Sequence, residues 1–474
     1  MIKLYNTMNK KKEDFIPIKE NKVKIYSCGP TVYSIQHIGN MRAALCWDFL
    51  KKMFRYFKYE VIDVSNITDV GHLVSDDSDG EDKMLKASKK ENLNPYEIAK
   101  KYEQIYLNDL EKLNIQKAKY LPRATEHIKE QIKIIQDLEK NGYTYKISDG
   151  IYFDVSKFKE YGALSHKSLE DRNFQSRVEK NPEKKNPQDF ALWKFLVGDN
   201  LNHVMKWESP WGIGFPGWHI ECSAMSNKYL GDKFDIHTGG IEHISIHHEN
   251  EIAQNICSGA IKNVNYWLHN DHLIVNGEKM SKSMGNVYNI LDLEKKGYSP
   301  LAFRELCLRT HYRKTLNFTF ESLDAGEINV NKINDFYQKF LNQKPLNVKD
   351  FVEEIYSNYL KDFELSLKDD LNTPKALSAV YGFISEINKN KDFSEKDIKL
   401  IILFIEKIDK VLSLLKKIDV TFPKDIIELA ELRKEARNNK DFKKSDELRD
   451  KLKLRGYTIK DSKNSKSGYI LSKD

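Results

Sequence analysis

Long apolar runs are missing: the longest uninterrupted stretch, Leu400 to Ile405, falls far short of the roughly 18 residues that a membrane-spanning helix needs. The first residues also lack the apolar segment of a secretory signal. No membrane partner and a cytoplasmic location are therefore expected. Cysteine is scarce, with 5 in 474 residues. An odd number spread over so long a chain argues against a disulfide framework and for a reducing compartment, so a cysteine that matters is a ligand, a nucleophile or core filler. Glycine almost disappears between about 321 and 418, where apolar residues recur at helical spacing, which predicts a helix bundle.

What is present is a chain too long for one core, and roughly three domains are expected. A formal charge of +7 permits a polyanionic partner, but lysine, asparagine and isoleucine are abundant throughout, so charge alone carries little. Val23 to Gly29 alternates like a half-buried strand, Met41 to Phe57 reads as a helix with Asn40 as its N-cap, and Tyr59 to Thr68 reads as a second strand. This order opens an α/β fold of Rossmann type, a doubly wound parallel sheet whose ligands sit beyond the carboxyl ends of its strands. The first half of that domain is expected over 1–115 and an insertion over 116–188, containing a hairpin turn at Ser148-Asp149-Gly150. The second half, over 189–290, is expected to add strands to the same sheet. Residues 75–83 form an acidic loop without the ligand spacing of a calcium site, and 165–189 is a polar, lysine-rich excursion. A region at 291–330 leads to the bundle at 331–418 and a small mixed α/β tail at 419–474 with two charged helices and a strand pair.

Three sets of residues carry chemistry. The first is His37-Ile38-Gly39-Asn40, placed between a strand and a helix. A helix start offers free amides and positive potential to phosphate, glycine allows close approach, and an imidazole donates to phosphoryl oxygens as charge develops. The second is Lys279-Met280-Ser281-Lys282-Ser283, after an Asn276-Gly277 turn. Two ammonium groups three residues apart on a loop make a clamp for a triphosphate and its departing pyrophosphate. The third is the concentration of His, Cys and Glu from Trp207 to Glu251. His247 and Glu251 are four apart in a helical pattern and project from one face, able to share a metal that Cys28 and Cys222 would complete as a tetrahedral set. Spacing alone leaves open ordinary hydrogen-bonded histidines. A metalloprotease helix is excluded, because Ile252 stands where a second histidine is required.

The first two signatures, in this order, resemble those of the class I aminoacyl-tRNA synthetases. That resemblance implies that His37, Gly39 and Asn40 face the triphosphate of Mg2+-ATP and that Lys282 contacts ATP with help from Lys279. Asn40 stands where histidine is commoner; an amide donates but carries no charge. Cys28-Gly-Pro-Thr-Val-Tyr, Trp211-Gly-Ile-Gly-Phe-Pro-Gly-Trp-His-Ile-Glu-Cys222 and His247-His-Glu-Asn-Glu251 together resemble the cysteinyl-tRNA synthetase family. Membership implies one Zn2+ held by Cys28, Cys222, His247 and Glu251, with L-cysteine, ATP and tRNA(Cys) as substrates and a monomeric enzyme. It further implies that Trp218 packs against the amino acid, that Thr31 and Thr68 position its amino or carboxyl group, and that His237 tunes the metal site. The segment at 291–330 would meet the tRNA stem, and the tail would bind the anticodon. Phe215 and the stretch Ile241 to Ile246 depart from the family pattern, as does the longer acidic loop after Asp69. Cys46, Cys257 and Cys307 fall on expected helices and read as buried apolar residues. Two rivals have the same start: a ligase that hands activated cysteine to a small amine, and a nucleic-acid-binding regulator without catalysis.

Overall fold

The computed structural model describes residues 1–71, 83–167, 181–201, 203–281, 284–416, 423–439, 441–461 and 469–473. The acidic loop apart from Lys83, residues 168–180 of the lysine-rich stretch, and Lys282 with Ser283 lie outside the described residues. The chain divides into two compact units, the first holding residues 1–327 and 366–374.

The first unit opens with an antiparallel ribbon of β1 (Lys3–Asn6) and β2 (Lys11–Asp14). Strand β3 (Lys22–Ser27), helix α1 (Ile38–Tyr56) and strand β4 (Glu60–Ser65) follow, and β3 pairs in parallel with β4 from Lys22 opposite Glu60 to Ser27 opposite Ser65. Helix α1 buries Ile38, Met41, Leu45, Phe49 and Met53, spaced three or four apart along one stripe. It starts three residues earlier than its apolar pattern suggests. His37, extended at φ −80 and ψ 164, is the N-cap and its side chain accepts the Asn40 amide, so Asn40 belongs to the first turn. The sequence reading missed this because histidine is not among the usual capping residues.

After α2 (Lys83–Glu91) comes α3 (Pro95–Lys112), started by a capping box of Asn94 and Glu97 with Pro95 in the first turn. Helix α4 (Ile128–Lys140) leads to β5 (Thr144–Ile147), β6 (Gly150–Phe153), β7 (Phe190–Phe195) and β8 (Gly214–Pro216). These four strands form their own antiparallel sheet in sequence order. The expectation that strands beyond 189 join the parallel sheet therefore fails for β7 and β8. Among the described residues no α-helix separates them, and strands without a crossover helix pair antiparallel.

Helix α5 (Trp218–Leu230), strand β9 (Lys233–Gly240), helix α6 (His247–Ser258) and strand β10 (Asn263–Asn270) return the chain to the main sheet, whose order is β10-β9-β3-β4 with every pair parallel. Then β11 (Leu273–Val275) turns through Asn276 at φ 51 and Gly277 at φ 82 into β12 (Glu278–Lys279), a hairpin that needs left-handed backbone at both turn positions. Helices α7 (Ile290–Lys295) and α8 (Pro300–Leu308) precede β13 (Leu316–Phe318), which pairs with β11 in parallel.

Helices α9 (Phe320–Leu341), α10 (Val352–Lys368), α11 (Thr373–Ile387) and α12 (Glu395–Leu412) make up the glycine-poor region. Most of it belongs to the second unit, along with α13 (Lys424–Asn438), α14 (Phe442–Leu454) and the antiparallel pair β14 (Tyr457–Asp461) and β15 (Tyr469–Lys473). None of the described helices is long and apolar enough to cross a membrane.

The loop after β4 carries a buried carboxyl with a testable consequence. Asp69 accepts from the Thr125 amide at 2.9 Å and its hydroxyl at 2.6 Å, yet burial pushes its pKa from 3.8 up to about 6. Between those values the folded chain holds a proton that the unfolded chain has released, so this group's contribution to stability falls as pH rises through that window. Urea unfolding at pH 4 and pH 7 is expected to show wild type losing up to about 3 kcal/mol more than Asp69→Asn over that interval. Equal losses would place the carboxyl in water.

Candidate active site and metal-ligand cluster

A cavity of about 500 Å3 opens beyond the carboxyl ends of β3, β9 and β10. His37, Gly39 and Asn40 line it together with Lys279 and Met280, so the two signatures meet across one space. Their apposition has local causes. Ile38 donates its amide to the Tyr288 carbonyl at 2.8 Å, and a Cβ on Gly39 would come within 2.8 Å of the Met280 methyl. Fully buried Arg42 donates to the Asp271 carbonyl at 2.7 Å and also to the carbonyls of His272 and Lys314, tying α1 to the segment that leads into β11. Asn286 holds the second signature from behind, accepting the Ser281 amide at 2.8 Å and donating to the Lys279 carbonyl at 3.3 Å. Lys279 is exposed at the end of β12.

His37 Nδ1 accepts the Asn40 amide at 3.3 Å. In the neutral ring this acceptor role puts the proton on Nε2 and makes that nitrogen the donor. The Asn40 side chain donates to Gln36 Oε1 at 2.5 Å, so its amide is held by a neighbour.

Cys28 is the point where this cavity meets the third set of residues. It follows β3 directly, and Gly29 after it presses against the loop beyond β4: a Cβ there would lie 1.6 Å from the Asn66 carbonyl oxygen. Donor atoms of Cys28, Cys222, His247 and Glu251 all lie within 4.8 Å of one another. The ligand types expected from the sequence are therefore gathered from the end of β3, from α5 and from one face of α6. Cys28, His237, His248 and Glu251 meet the same criterion, a second set that shares two members with the first. His247 Nε2 is 3.1 Å from Glu251 Oε1, His237 Nε2 is 2.9 Å from Glu251 Oε2, and Cys28 Sγ is 3.3 Å from His248 Nε2. Two sulfurs, imidazole nitrogen and a carboxylate, almost wholly buried, form a donor set suited to Zn2+.

Electrostatics couple the members of this cluster, whose protons a bound metal would displace. Burial alone would raise Glu251, but the imidazoles of His237 and His247 bring its pKa down to about 2. Burial likewise opposes a charged His247, while Cys222 and Glu251 hold it up at about 10. The two thiols share a proton: a hydrogen bond from Cys28 lowers Cys222 to about 7, and burial pushes Cys28 well above the ordinary thiol range. Burial also lowers His243 to about 3 and His248 well below its usual value, so both are neutral and able to bind a cation.

Of the expected substrate contacts, Thr31 and Trp218 line the cavity, and the Trp218 ring lies 4.4 Å from that of His247. Thr68 sits elsewhere: it is buried, donates its hydroxyl to Glu221 at 2.9 Å and receives the Asn66 amide at 3.0 Å, which places it in the wall behind the loop. His237 is also fully buried, stacked at 4.5 Å on Trp267. Cys46, Cys257 and Cys307 are buried on α1, α6 and α8, as expected. Sequence reasoning overlooked Asn66, which accepts the Gly29 amide at 2.8 Å and so fixes the backbone beside Cys28. An asparagine in a loop carries no local mark of that role.

The tRNA synthetases class I (C) catalytic domain model matches residues 14–327, and the DALR domain model matches 362–416. Fold and site together define a class I aminoacyl-tRNA synthetase. The cysteine–tRNA ligase of Treponema denticola is 42% identical over 488 residues, covering 97% of this chain and 98% of its own. That of Finegoldia magna is 43% identical over 474 residues, covering 98% of each. The chain belongs to the cysteine–tRNA ligase family. Among solved structures, Mycobacterium tuberculosis methionyl-tRNA synthetase in complex with methionyl-adenylate shares the fold, with a TM-score of 0.57 at 15% identity over 83% of this chain and 90% of that one.

Proposed function

We propose that this chain activates L-cysteine with Mg-ATP and transfers it to the 3'-terminal ribose of tRNA(Cys). The observation that carries the proposal is the single cavity lined by His37, Asn40, Lys279 and Cys28, whose sulfur belongs to the buried ligand cluster. In the first step the cysteine carboxylate attacks the α-phosphorus, a new O–P bond forms, and the bond to the β-phosphate breaks to release pyrophosphate. The His37 Nε2 proton donates to phosphoryl oxygen, and Lys279 with Lys282 neutralises the charge that builds on the leaving group. Thr31 orients the amino acid and Trp218 packs against it. In the second step a ribose hydroxyl attacks the activated carbonyl and AMP departs. Most of the rate comes from positioning and fixed charge.

Cys28, Cys222, His247 and Glu251 are the residues that would hold Zn2+, with His237 bonded to the Glu251 carboxylate from the side. When bound, zinc supplies a soft acceptor for the substrate's thiolate, which a serine hydroxyl cannot match. Cysteine and serine are nearly equal in size, and an apolar pocket separates such pairs by only about 10- to 200-fold. The helical region would meet the tRNA stem, the basic tail would read the anticodon, and the enzyme would act as a cytoplasmic monomer.

ATP–pyrophosphate exchange tests the reading directly. Exchange is expected with cysteine, and at least about a hundredfold less with serine. Equal exchange with both amino acids would remove the sulfur-selecting role, and absence of exchange with either would remove the activation step.

A further inference from the structure

Residues 366–374, the turn between α10 and α11, pack with the first unit. At the centre of the turn, Asp370 and Leu371 are both buried and both hold left-handed backbone, at φ 59 and φ 52. Neighbouring non-glycine residues are costly in that conformation and stay in it only where their surroundings fix them. Here the surroundings are donors gathered on one fully buried carboxylate. Asp370 Oδ1 accepts the Tyr5 amide at 2.8 Å and the Tyr312 hydroxyl at 2.7 Å, and Oδ2 accepts Arg313 Nε at 2.8 Å. The Asp370 amide in turn donates to the Lys3 carbonyl at 2.9 Å. A buried carboxylate paired in this way holds its partners firmly, because releasing one of them leaves charge unmatched.

What Asp370 holds is the start of the segment on which the second signature is built. The Tyr312 carbonyl accepts the Asp271 amide at 2.8 Å, and the Leu316 amide donates to the His272 carbonyl at 3.0 Å. Asp271 and His272 line the cavity. Strand β13 then pairs with β11, from Leu316 opposite Leu273 to Phe318 opposite Val275. It serves the turn as well: the Asn276 amide donates to the Phe318 carbonyl at 3.0 Å, and the Gly277 amide to Asn317 Oδ1 at 2.8 Å. The hairpin that carries Lys279 therefore takes backbone partners from a segment, 312–318, whose leading residues are tied to Asp370.

We propose that Asp370 is a positioning residue for adenylate formation, acting through Tyr312, Arg313 and β13 to fix the hairpin that presents Lys279. It touches neither ATP nor cysteine. A displacement of about 1 Å at a group that meets developing charge costs up to about a hundredfold in rate, so a buried anchor far from the chemistry has leverage on it. The inference rests on the role given above to Lys279 and names what keeps that side chain in place.

The full-length chain carrying Asp370→Asn tests it. The amide keeps the shape of the carboxylate, but whichever way it turns, its nitrogen meets a donor, either Arg313 Nε or the Tyr5 amide and Tyr312 hydroxyl. The single-turnover rate of adenylate formation is expected to fall about tenfold, with KM for cysteine within about twofold of wild type. In a Lys279→Ala background the same substitution should cost no more than about threefold, because the two act through one group. Tyr312→Phe, which removes only the hydroxyl, is carried in parallel, with a smaller fall of about threefold expected. An unchanged rate in both variants, a cysteine KM that rises as far as the rate falls, or a full cost that persists in the Lys279→Ala background overturns the inference. Failure of both variants to fold overturns it as well, since Asp370 would then anchor the fold alone. If Lys279→Ala itself forms adenylate at the wild-type rate, the reading of the second signature falls and this inference with it.

Discussion

Cys222→Ser is expected to abolish zinc binding and to lower kcat/KM for cysteine activation by at least about a hundredfold, with ATP affinity nearly unchanged. The site shows why so small a change has so large an effect. Cys222 is 1% exposed and its sulfur lies within reach of Cys28, His247 and Glu251. A serine hydroxyl at that position stays protonated at neutral pH and offers the ion a weak donor in place of an anion. The charge balance also suffers: Cys222 and Glu251 are the two anions that hold a proton on His247 in the metal-free cluster, and a cation replacing that proton would lose one of them. Metal analysis of the purified variant, with pyrophosphate exchange alongside, decides the matter. The same experiment separates the two overlapping ligand sets. If Cys28, His237, His248 and Glu251 are the operative ligands, Cys222→Ser retains its metal and His248→Ala loses it.

The second large effect concerns His37. His37→Asn is expected to slow the single-turnover formation of adenylate by about two orders of magnitude, in line with removal of one donor to developing charge. Asparagine is a good N-cap, so the start of α1 survives. It is too short to place a donor where the imidazole Nε2 stands. The cap and the chemical role of His37 are thereby separated, which an alanine substitution would not do, since alanine removes the acceptor for the Asn40 amide as well. Thermal unfolding should show the variant within about 1 kcal/mol of wild type. An unchanged single-turnover rate would assign His37 to capping alone.

Much of this molecule was legible along the chain because its signals are local. His37-Ile38-Gly39-Asn40 announces itself by lying between a strand pattern and a helix pattern, and the hairpin at Asn276-Gly277 fixes where the second signature begins. The helical region was readable from the stripe of α12, where Ile398, Ile401, Ile405 and Ile408 recur at helical spacing and are buried. The start of α1 was misplaced because a histidine cap has no strong propensity signal. β7 was assigned to the wrong sheet because alternation tells which face of a strand is buried and says nothing of its neighbour.

By itself, then, the amino-acid order determined the class of fold, the two nucleotide signatures, and the pairing of His247 with Glu251, since residues four apart on a helix share a face whatever surrounds them. Only the tertiary structure decided that Cys28 and Cys222 reach that pair and that His237 and His248 compete for the same partners. Contacts between residues far apart in the chain are set by how β3, β9, α5 and α6 pack, and packing depends on shapes that no spacing rule encodes.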